Sequence, residues 1–495
     1  CLKALKDVNI PKFTLFDIPL FNSIISDLFP GIQEISSKDQ TLLENIKSSC
    51  EMFQVLPQTN FINKAIQLYD TILVRHGLII VGETYSGKTK CMNVLKEGLR
   101  KMGVLVEQYI INPKGITAAQ LYGNLDQNTK LWTDGIIPYV MKICEEDADK
   151  PEKKWVTFDG PVDAVWIENM NTVLDDNKVL CLTNGQKIKL TQWSTMIFEV
   201  EDLFNASPAT VSRCGMIFME PEQLQWQTVL DAFFKFDIIS IIGTTADGIY
   251  QTMKWILNAT IPYIRKNLKL PISINYVHIC YNSIRMLKMI LVELVQVQSP
   301  ENLQKELESK ASDIALYAVV WGVGGIYDES ERNDLNIFLL KLIYQEDVKI
   351  TYDLEIEDNK WSPKQLILQL KDCKNLFNMK FEVDKLNWSE WSAKRFEVPK
   401  DVKLKYDQLI IPTPESTRLS HFLKIILKDF GNIILIGPTG TGKTMGVIKE
   451  INECFSQREF GNIVSNFSGR THVNFVQRQI EAKMTTRKGK KGHYG

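Results

Sequence analysis

The stretch from Gly82 to Thr89 reads GETYSGKT and has the spacing G-x-x-x-x-G-K-T of a phosphate-binding loop, or P-loop. A second copy, GPTGTGKT, runs from Gly437 to Thr444. In such a loop the glycines let backbone N–H groups surround phosphate oxygens, the lysine reaches the outer phosphates, and the hydroxyl ligates Mg²⁺. The residues expected to bind ATP and Mg²⁺ are Gly82, Ser86, Gly87, Lys88, Thr89, Gly437, Gly440, Thr441, Gly442, Lys443 and Thr444, with Thr89 and Thr444 as metal ligands.

Both copies lie between an apolar run and a stretch that can be helical, which is the context that a P-loop requires. The runs Leu78–Val81 and Ile433–Ile436 are predicted as buried strands, and the residues that follow each loop as helices. A glycine-rich turn that binds nothing is the alternative. It carries more weight for the first copy, because Glu83 and Tyr85 put a negative charge and a bulky ring into that loop.

Length and composition indicate a modular globular protein. At 495 residues the chain is too long for a single core and predicts about three or four domain-sized units. The 58 basic and 59 acidic residues nearly cancel, so no strong field attracts nucleic acid or an anionic membrane. No apolar run approaches the ~18 residues of a membrane span. The charge balance and the lack of such a run together predict that neither nucleic acid nor a membrane is a partner. The chain opens with Cys1 and not with methionine, which predicts a fragment.

Strand and hairpin signals continue after the first loop. The run Trp155–Asp159 reads as a buried strand that ends in a carboxylate, 70 residues after Thr89. Such a strand end suits an acid that holds Mg²⁺ through its water shell, so Asp159 is a further expected metal ligand. The alternative is a surface strand that ends in an acid by chance. The dipeptide at 184–185, Asn-Gly between two β-rich runs, predicts a hairpin.

The hydrophobic periodicity divides the chain into segments of different character. Residues 51–220 predict an α/β nucleotide-binding domain, and residues 221–345 predict a helical domain. Residues 346–410 carry Trp361, Trp388 and Trp391 among charged residues, and predict a connector packed on the surface. After this connector the α/β pattern begins again.

Three stretches, residues 116–123, 158–178 and 206–216, resemble the second AAA+ module of a dynein heavy chain, and the ciliary (axonemal) type fits best. Residues 1–50 resemble the end of the preceding module with its connector, and residues 411–495 the truncated start of the next. The fold class that the resemblance implies is α/β: a P-loop AAA+ core with a helical small domain, followed by the beginning of a second P-loop AAA+ core.

The resemblance also implies a function and a location. The chain would be an ATP-binding slice of a six-module, ATP-driven microtubule motor, located in the cytoplasm and cytoskeleton, in the axoneme of a cilium or flagellum. Its partners would be the neighbouring AAA+ modules of the same heavy chain, with dynein intermediate and light chains and microtubules reached through the full-length motor. Arg213 matches the family position that faces the preceding module, where it would act as a catalytic finger in trans. A structural salt bridge is the alternative role for Arg213.

One departure from the family pattern concerns turnover. A hydrolysing AAA+ site would carry a glutamate after the strand-ending aspartate to orient the attacking water, and here that position is Gly160. Asp163 and Glu168 lie too far along the chain to emerge at the same place. The strand predicted over Thr195–Val200 ends with Glu199 and a valine, where a polar amide sensor would be expected.

The first site is therefore expected to bind ATP with little hydrolysis and to act structurally or as a regulator. The alternative is a catalytically active AAA+ remodelling ATPase or another P-loop enzyme, such as a kinase. The second P-loop is expected to be incomplete, because 51 residues follow Thr444 and none of them forms an apolar strand ending in Asp. The basic tail at 487–492 is interpreted as a solvated loop, since no aromatic residues are interleaved with it.

Overall fold

A computed structural model describes residues 5–6, 9–14, 16–30, 40–126, 128–220, 225–243, 246–270, 274–297, 300–344, 348–352, 370, 373–392, 411–428, 431–455 and 462–484. The chain forms two compact units. The first contains residues 1–236 and 275–278, and the second contains residues 237–274 and 279–495. Among the helices of the described residues, none combines the length and the apolar character needed to cross a membrane.

The first unit is built on a five-stranded parallel sheet. Its strands in chain order are β1 (Gly77–Val81), β2 (Val106–Ile111), β3 (Lys153–Asp159), β4 (Ser194–Val200) and β5 (Gly215–Phe218). They lie side by side in the order β2-β3-β4-β1-β5, and every pair is parallel. β1 and β4 are buried along their whole length, because a parallel sheet is covered on both faces. This arrangement confirms the predicted α/β fold class.

Helices and short hairpins cover the two faces of this sheet. Successive side chains of a strand point to opposite faces, so Ile79 and Val81 pack into one hydrophobic cluster, and Leu78 and Ile80 pack into the other. The helices of the first unit are Ile10–Lys12, Asp17–Leu28, Gln40–Met52, Thr59–Val74, Lys88–Lys101, Ala118–Tyr122, Ile136–Glu146, Ala164–Ile167, Glu168–Met170, Asn171–Leu174, Pro208–Arg213 and Trp226–Phe233.

Two small antiparallel hairpins complete the first unit. One pairs Gly123–Leu125 with Trp132–Asp134. The other pairs Val179–Cys181 with Lys187–Lys189. The second hairpin is the one predicted from the Asn-Gly dipeptide, and its glycine, Gly185, has φ 85°, a conformation that glycine adopts without steric cost.

The second unit is mainly helical. The helix Tyr276–Val297 begins in the first unit and continues here, and the π-helical turn Phe234–Ile238 spans the boundary in sequence. The other helices are Ile239–Ile242, Ala246–Asn267, Pro300–Gly324, Glu329–Ile343, Val348–Tyr352, Leu376–Asn378, Pro414–Lys428, Lys443–Cys454 and Val473–Lys483.

Part of the predicted connector is an ordered hairpin in the second unit. Met379–Glu382 pairs antiparallel with Asn387–Glu390. The Trp388 indole N–H donates a hydrogen bond to Asp313 Oδ1 at 2.8 Å, which anchors the hairpin to a helix. Trp361, the other residues of 353–369, and the basic tail at 487–492 lie outside the described residues.

One predicted strand is wrong. Ile433–Ile436, before the second P-loop, belongs to no strand. Ile434 is 85% exposed and Ile436 is 71% exposed. A strand needs a neighbour to satisfy its backbone N–H and C=O groups, and within the described residues no strand pairs with this segment. Its apolar composition alone therefore does not make it a buried strand.

Candidate nucleotide-binding site

The first P-loop connects the end of β1 to the helix Lys88–Lys101. Gly87 caps this helix with φ 86°, and Gly82 lies where no side chain fits. A Cβ added at Gly82 would clash with the carbonyl oxygen of Met219 and would lie 2.6 Å from Ser86 Oγ. Two glycines of the motif are therefore fixed by backbone geometry, and the first turn of the helix points its free N–H groups into the loop.

The Lys88 ammonium and the Ser86 hydroxyl are polar groups inside this loop that can bind a phosphate. Lys88 Nζ donates hydrogen bonds to the carbonyl oxygens of Gly82 at 2.5 Å and Glu83 at 2.8 Å. Ser86 is 1% exposed, and its buried hydroxyl has no hydrogen-bond partner. A buried hydroxyl without a partner is uncommon in proteins, and an anion cradled by the loop would satisfy it. The residues present therefore fit a bound phosphate.

The surroundings of Lys88 are acidic. Burial lowers the pKa of the Lys88 ammonium, and neighbouring carboxylates, with Glu199 first, raise it. Of these carboxylates, Asp159 is itself a predicted metal ligand, and Glu199 is paired in register with it. A divalent cation would compensate that charge when a polyphosphate enters.

Asp159 and Glu199 lie side by side at the carboxyl ends of two neighbouring strands. Asp159 of β3 is paired in register with Glu199 of β4. Thr89 Oγ1 donates a hydrogen bond of 2.5 Å to Glu199 Oε1. Burial raises the pKa of Glu199, whereas the hydrogen bond from Thr89 lowers it. The sequence shows Glu199 near the end of a strand where a polar amide sensor would be expected, and it does not predict the contact between Glu199 and Thr89.

The chemistry of this donor set suits Mg²⁺ bound together with a nucleotide. Within the described ranges, no group of three or more His, Cys, Asp or Glu side chains could hold a metal ion by itself. Mg²⁺ is typically held by one or two protein oxygens together with phosphates and waters. Thr89 and Asp159 would therefore hold the ion, and the phosphates would supply the remaining oxygens.

The position after Asp159 carries no carboxylate. Gly160 donates its N–H to the Glu199 carbonyl oxygen at 3.3 Å. Asp163 forms an ion pair with Lys114. Glu168 is exposed in the short helix Glu168–Met170. Neither acid is thus presented at the strand end.

Tyr85 occupies a strained position in the first loop. Its φ is 66°, in the left-handed region that a bulky residue rarely adopts. Gly440, the corresponding residue of the second loop, has φ 82°. The Tyr85 ring packs edge-on against His278 with centroids 4.4 Å apart, and Asn275 Nδ2 donates to the Thr84 carbonyl oxygen at 2.7 Å. These two contacts hold the loop in a conformation that glycine would adopt unaided.

The left-handed backbone at Tyr85 predicts that glycine gives a more stable protein than alanine at this position, which is the reverse of their order inside a helix. In a left-handed conformation Tyr85→Gly is expected to leave the protein about 1 kcal/mol more stable than Tyr85→Ala, because the Cβ costs energy there. At Lys96, inside the helix Lys88–Lys101, the alanine variant is expected to be the more stable by about 1 kcal/mol. Urea unfolding of the four variants measures both differences. The same sign at both positions would contradict the strained conformation.

The second P-loop has the same local geometry but a more exposed setting. Lys443 Nζ donates to the carbonyl oxygens of Gly437, at 2.8 Å, and Pro438, and Thr441 Oγ1 donates to the Pro438 carbonyl oxygen at 3.0 Å. Gly442 caps the helix that begins at Lys443, with φ 77°. Thr444 and the loop glycines are exposed. The loop has the P-loop shape, but among the residues that the structure describes no sheet strand leads into it, whereas the first copy follows β1.

Arg213 lies at the end of the helix Pro208–Arg213, between β4 and β5. Its Nε donates a hydrogen bond to Asp175 Oδ1 in an ion pair, and its Nη1 donates to the Ala209 carbonyl oxygen at 3.0 Å. The Arg213 side chain is 33% exposed. The sequence does not predict Asp175 as its partner, since the two are separated by 38 residues.

Four stretches of the chain match described protein families. Residues 1–89 match "Hydrolytic ATP binding site of dynein motor region". Residues 77–214 match "AAA domain (dynein-related subfamily)". Residues 249–393 match "Dynein heavy chain AAA lid domain", and residues 397–495 match "P-loop containing dynein motor region".

Curated relatives align along the whole chain. Dynein axonemal heavy chain 1 of Mus musculus is 35% identical over 516 residues, covering 100% of this chain and 12% of the relative. Dynein axonemal heavy chain 3 of Homo sapiens is 34% identical over 519 residues, again covering 100% and 12%. Dynein axonemal heavy chain 12 of Rattus norvegicus is 32% identical over 508 residues, covering 100% and 16%. The chain therefore spans about one eighth of the length of the first two relatives.

Proposed function

This chain belongs to the dynein heavy chain family, of the axonemal type, as an ATP-binding AAA+ segment of the motor region, and from this premise we propose that its first site holds ATP·Mg with little turnover. The nucleotide would act as a structural and regulatory element, stiffening the segment so that motion passes between catalytic modules. Lys88, Thr89 and Asp159 would bind the phosphates and the ion. The second P-loop would bind nucleotide through Lys443 and Thr444.

The observation that carries this proposal is the strand end Asp159-Gly160. A base that orients the attacking water must reach the γ-phosphate from this point, and glycine has no side chain to do so. The ion pair of Asp163 with Lys114 removes the nearest acid along the chain from that task. Binding groups are present at the loop, and a base at the expected position is absent, which supports binding without efficient hydrolysis.

An active ATPase is the second candidate, and Glu199 is the observation that favours it. This buried carboxylate is paired in register with Asp159 and contacts the loop through Thr89. However, its Oε1 already accepts the hydrogen bond from Thr89, so the carboxylate is directed toward the metal side of the loop. We therefore assign Glu199 to the metal side and not to the attacking water.

We further propose where the segment lies in its larger assembly, with its family membership as the support. Residues 51–220 and 221–345 would be the large and small domains of one module, residues 1–50 the end of the preceding one, residues 346–410 a connector and residues 411–495 the start of the next. Its partners would be the neighbouring modules of the heavy chain, with intermediate and light chains and microtubules reached through the whole motor, in a ciliary axoneme.

Lys88 provides the direct test of binding. In a chain with Lys443→Ala, which silences the second loop, ATP·Mg at one hundred times its dissociation constant is expected to raise the free energy of unfolding by about 2.7 kcal/mol. Adding Lys88→Ala is expected to abolish that gain, because the loop loses its phosphate-binding ammonium. The gain is measured as the ATP-induced rise in melting temperature.

Lys90 provides the matched control. It lies two residues further along the same helix, and its Nζ donates to the Phe53 carbonyl oxygen at 2.9 Å, outside the loop. Lys90→Ala in the Lys443→Ala chain is therefore expected to keep the ATP-induced rise. If the rise survives Lys88→Ala as well, ATP binds elsewhere and the assignment of the first site fails.

A further inference from the structure

Glu199 contributes a buried negative charge to the first loop that the phosphate-binding motif does not require. It is 8% exposed and is the only charged residue of strand β4, one position before the strand ends at Val200. Neighbouring strands lie about 4.8 Å apart, and residues paired in register point to the same face. The carboxylates of Asp159 and Glu199 therefore stand next to each other on the side of the loop where Thr89 lies.

The hydrogen bond from Thr89 fixes the direction of the hydroxyl. Thr89 Oγ1 gives its proton to Glu199 Oε1, so its lone pairs face away from Glu199. A hydroxyl oxygen ligates Mg²⁺ through a lone pair. The contact thus leaves Thr89 able to bind the ion while it still donates its proton to Glu199.

When no cation is present, the negative charge of Glu199 opposes the binding of a phosphate group at the loop. A polyphosphate in the loop would meet two negative charges, that of Asp159, which is exposed, and that of Glu199, which is buried and therefore less screened than a charge in water. Lys88 offsets part of this charge. A divalent cation between the phosphates and the two carboxylates turns the repulsion into attraction.

We propose that Glu199 is a positioning residue that makes nucleotide binding at the first loop depend on a divalent cation. It orients the Thr89 hydroxyl for the ion, and its charge disfavours nucleotide that arrives without one. This inference rests on the proposed function of the first site as an ATP·Mg site.

The test compares ATP affinity with Mg²⁺ and with EDTA in the full chain carrying Lys443→Ala. Glu199→Gln keeps the size and the oxygen acceptor but removes the charge. The ratio of the dissociation constant in EDTA to that in Mg²⁺ is expected to fall at least about tenfold in this variant, chiefly through tighter binding in EDTA. Glu199→Ala is expected to lower the ratio as well. This variant also removes the charge, and it does not require the site to accommodate an amide group.

Glu201 supplies the matched control, since it lies two residues away, is exposed and also raises the pKa of Lys88. Glu201→Gln is expected to change the ratio less than about threefold, because solvent screens an exposed charge. An unchanged ratio in both Glu199 variants would overturn this inference alone. Absence of ATP binding to the Lys443→Ala chain in Mg²⁺ would overturn the proposed function, and this inference with it.

Discussion

Replacing Arg213 by alanine in the full-length motor is expected to lower the ATPase rate and microtubule gliding by at least ~10³-fold, the scale of arginine-finger chemistry. The proposal is that Arg213 reaches the nucleotide of the preceding module and neutralises charge on its γ-phosphate. A guanidinium suits this task because it always carries its charge and has a fixed fork of donors. Steady-state phosphate release and gliding velocity measure the effect.

The ion pair between Arg213 and Asp175 supports the competing explanation, a purely structural role for Arg213. The exposure of the pair indicates how much it contributes to stability. Arg213 and Asp175 are each about one-third exposed, at 33% and 38%. A pair that is partly exposed to solvent contributes only about 0–1 kcal/mol to stability. If Arg213 is purely structural, Arg213→Ala should destabilise the chain slightly and leave the motor rate almost unchanged.

Asp175→Asn separates the two explanations. This variant breaks the ion pair but keeps the guanidinium, so the motor is expected to retain most of its rate while Arg213→Ala loses it. ATP affinity of the chain itself is expected to stay nearly unchanged in both variants. Loss of ATP affinity in the chain with a normal rate in the full-length motor would assign Arg213 to the local site or fold, and the finger would be excluded.

The first P-loop could be predicted from sequence because its determinants are local. The loop, the strand before it and the helix after it occupy 25 consecutive positions, from Gly77 to Lys101, and each is specified by its own residues. The same local pattern misled at Ile433–Ile436, where apolar residues suggest a strand. A strand depends on neighbours that a local pattern does not contain.

The contacts that decide the chemistry are non-local and could not be predicted in the same way. Thr89 and Glu199 are 110 residues apart, and they meet because β4 lies beside both β1 and β3. The available signal was a carboxylate next to the end of a predicted strand. For Tyr85, the signal was a tyrosine at the position where the second loop has Gly440.

The second large effect concerns turnover at the first site. Phosphate release by the unmodified chain is expected to be roughly 10²–10⁴-fold slower than that of a P-loop site with a positioned base, because that is what general-base catalysis contributes. Gly160→Glu is the variant that supplies the missing group. A Cβ fits at this position, because it would lie 3.4 Å from Asn112 Oδ1 and 3.4 Å from Pro113 Cδ, and the Gly160 backbone is not in the left-handed region.

A glutamate at position 160 is expected to raise phosphate release only when an arginine finger from a neighbouring module is also supplied, since charge on the γ-phosphate must be neutralised as well. Gly160→Gln is the matched control, because it has the same size and no carboxylate, and it is expected to leave the rate low under both conditions. Fast phosphate release by the unmodified chain that Lys88→Ala abolishes would contradict this view of the site. Another residue would then orient the water, and Glu199, whose carboxylate already contacts Thr89, would be the first to replace by glutamine.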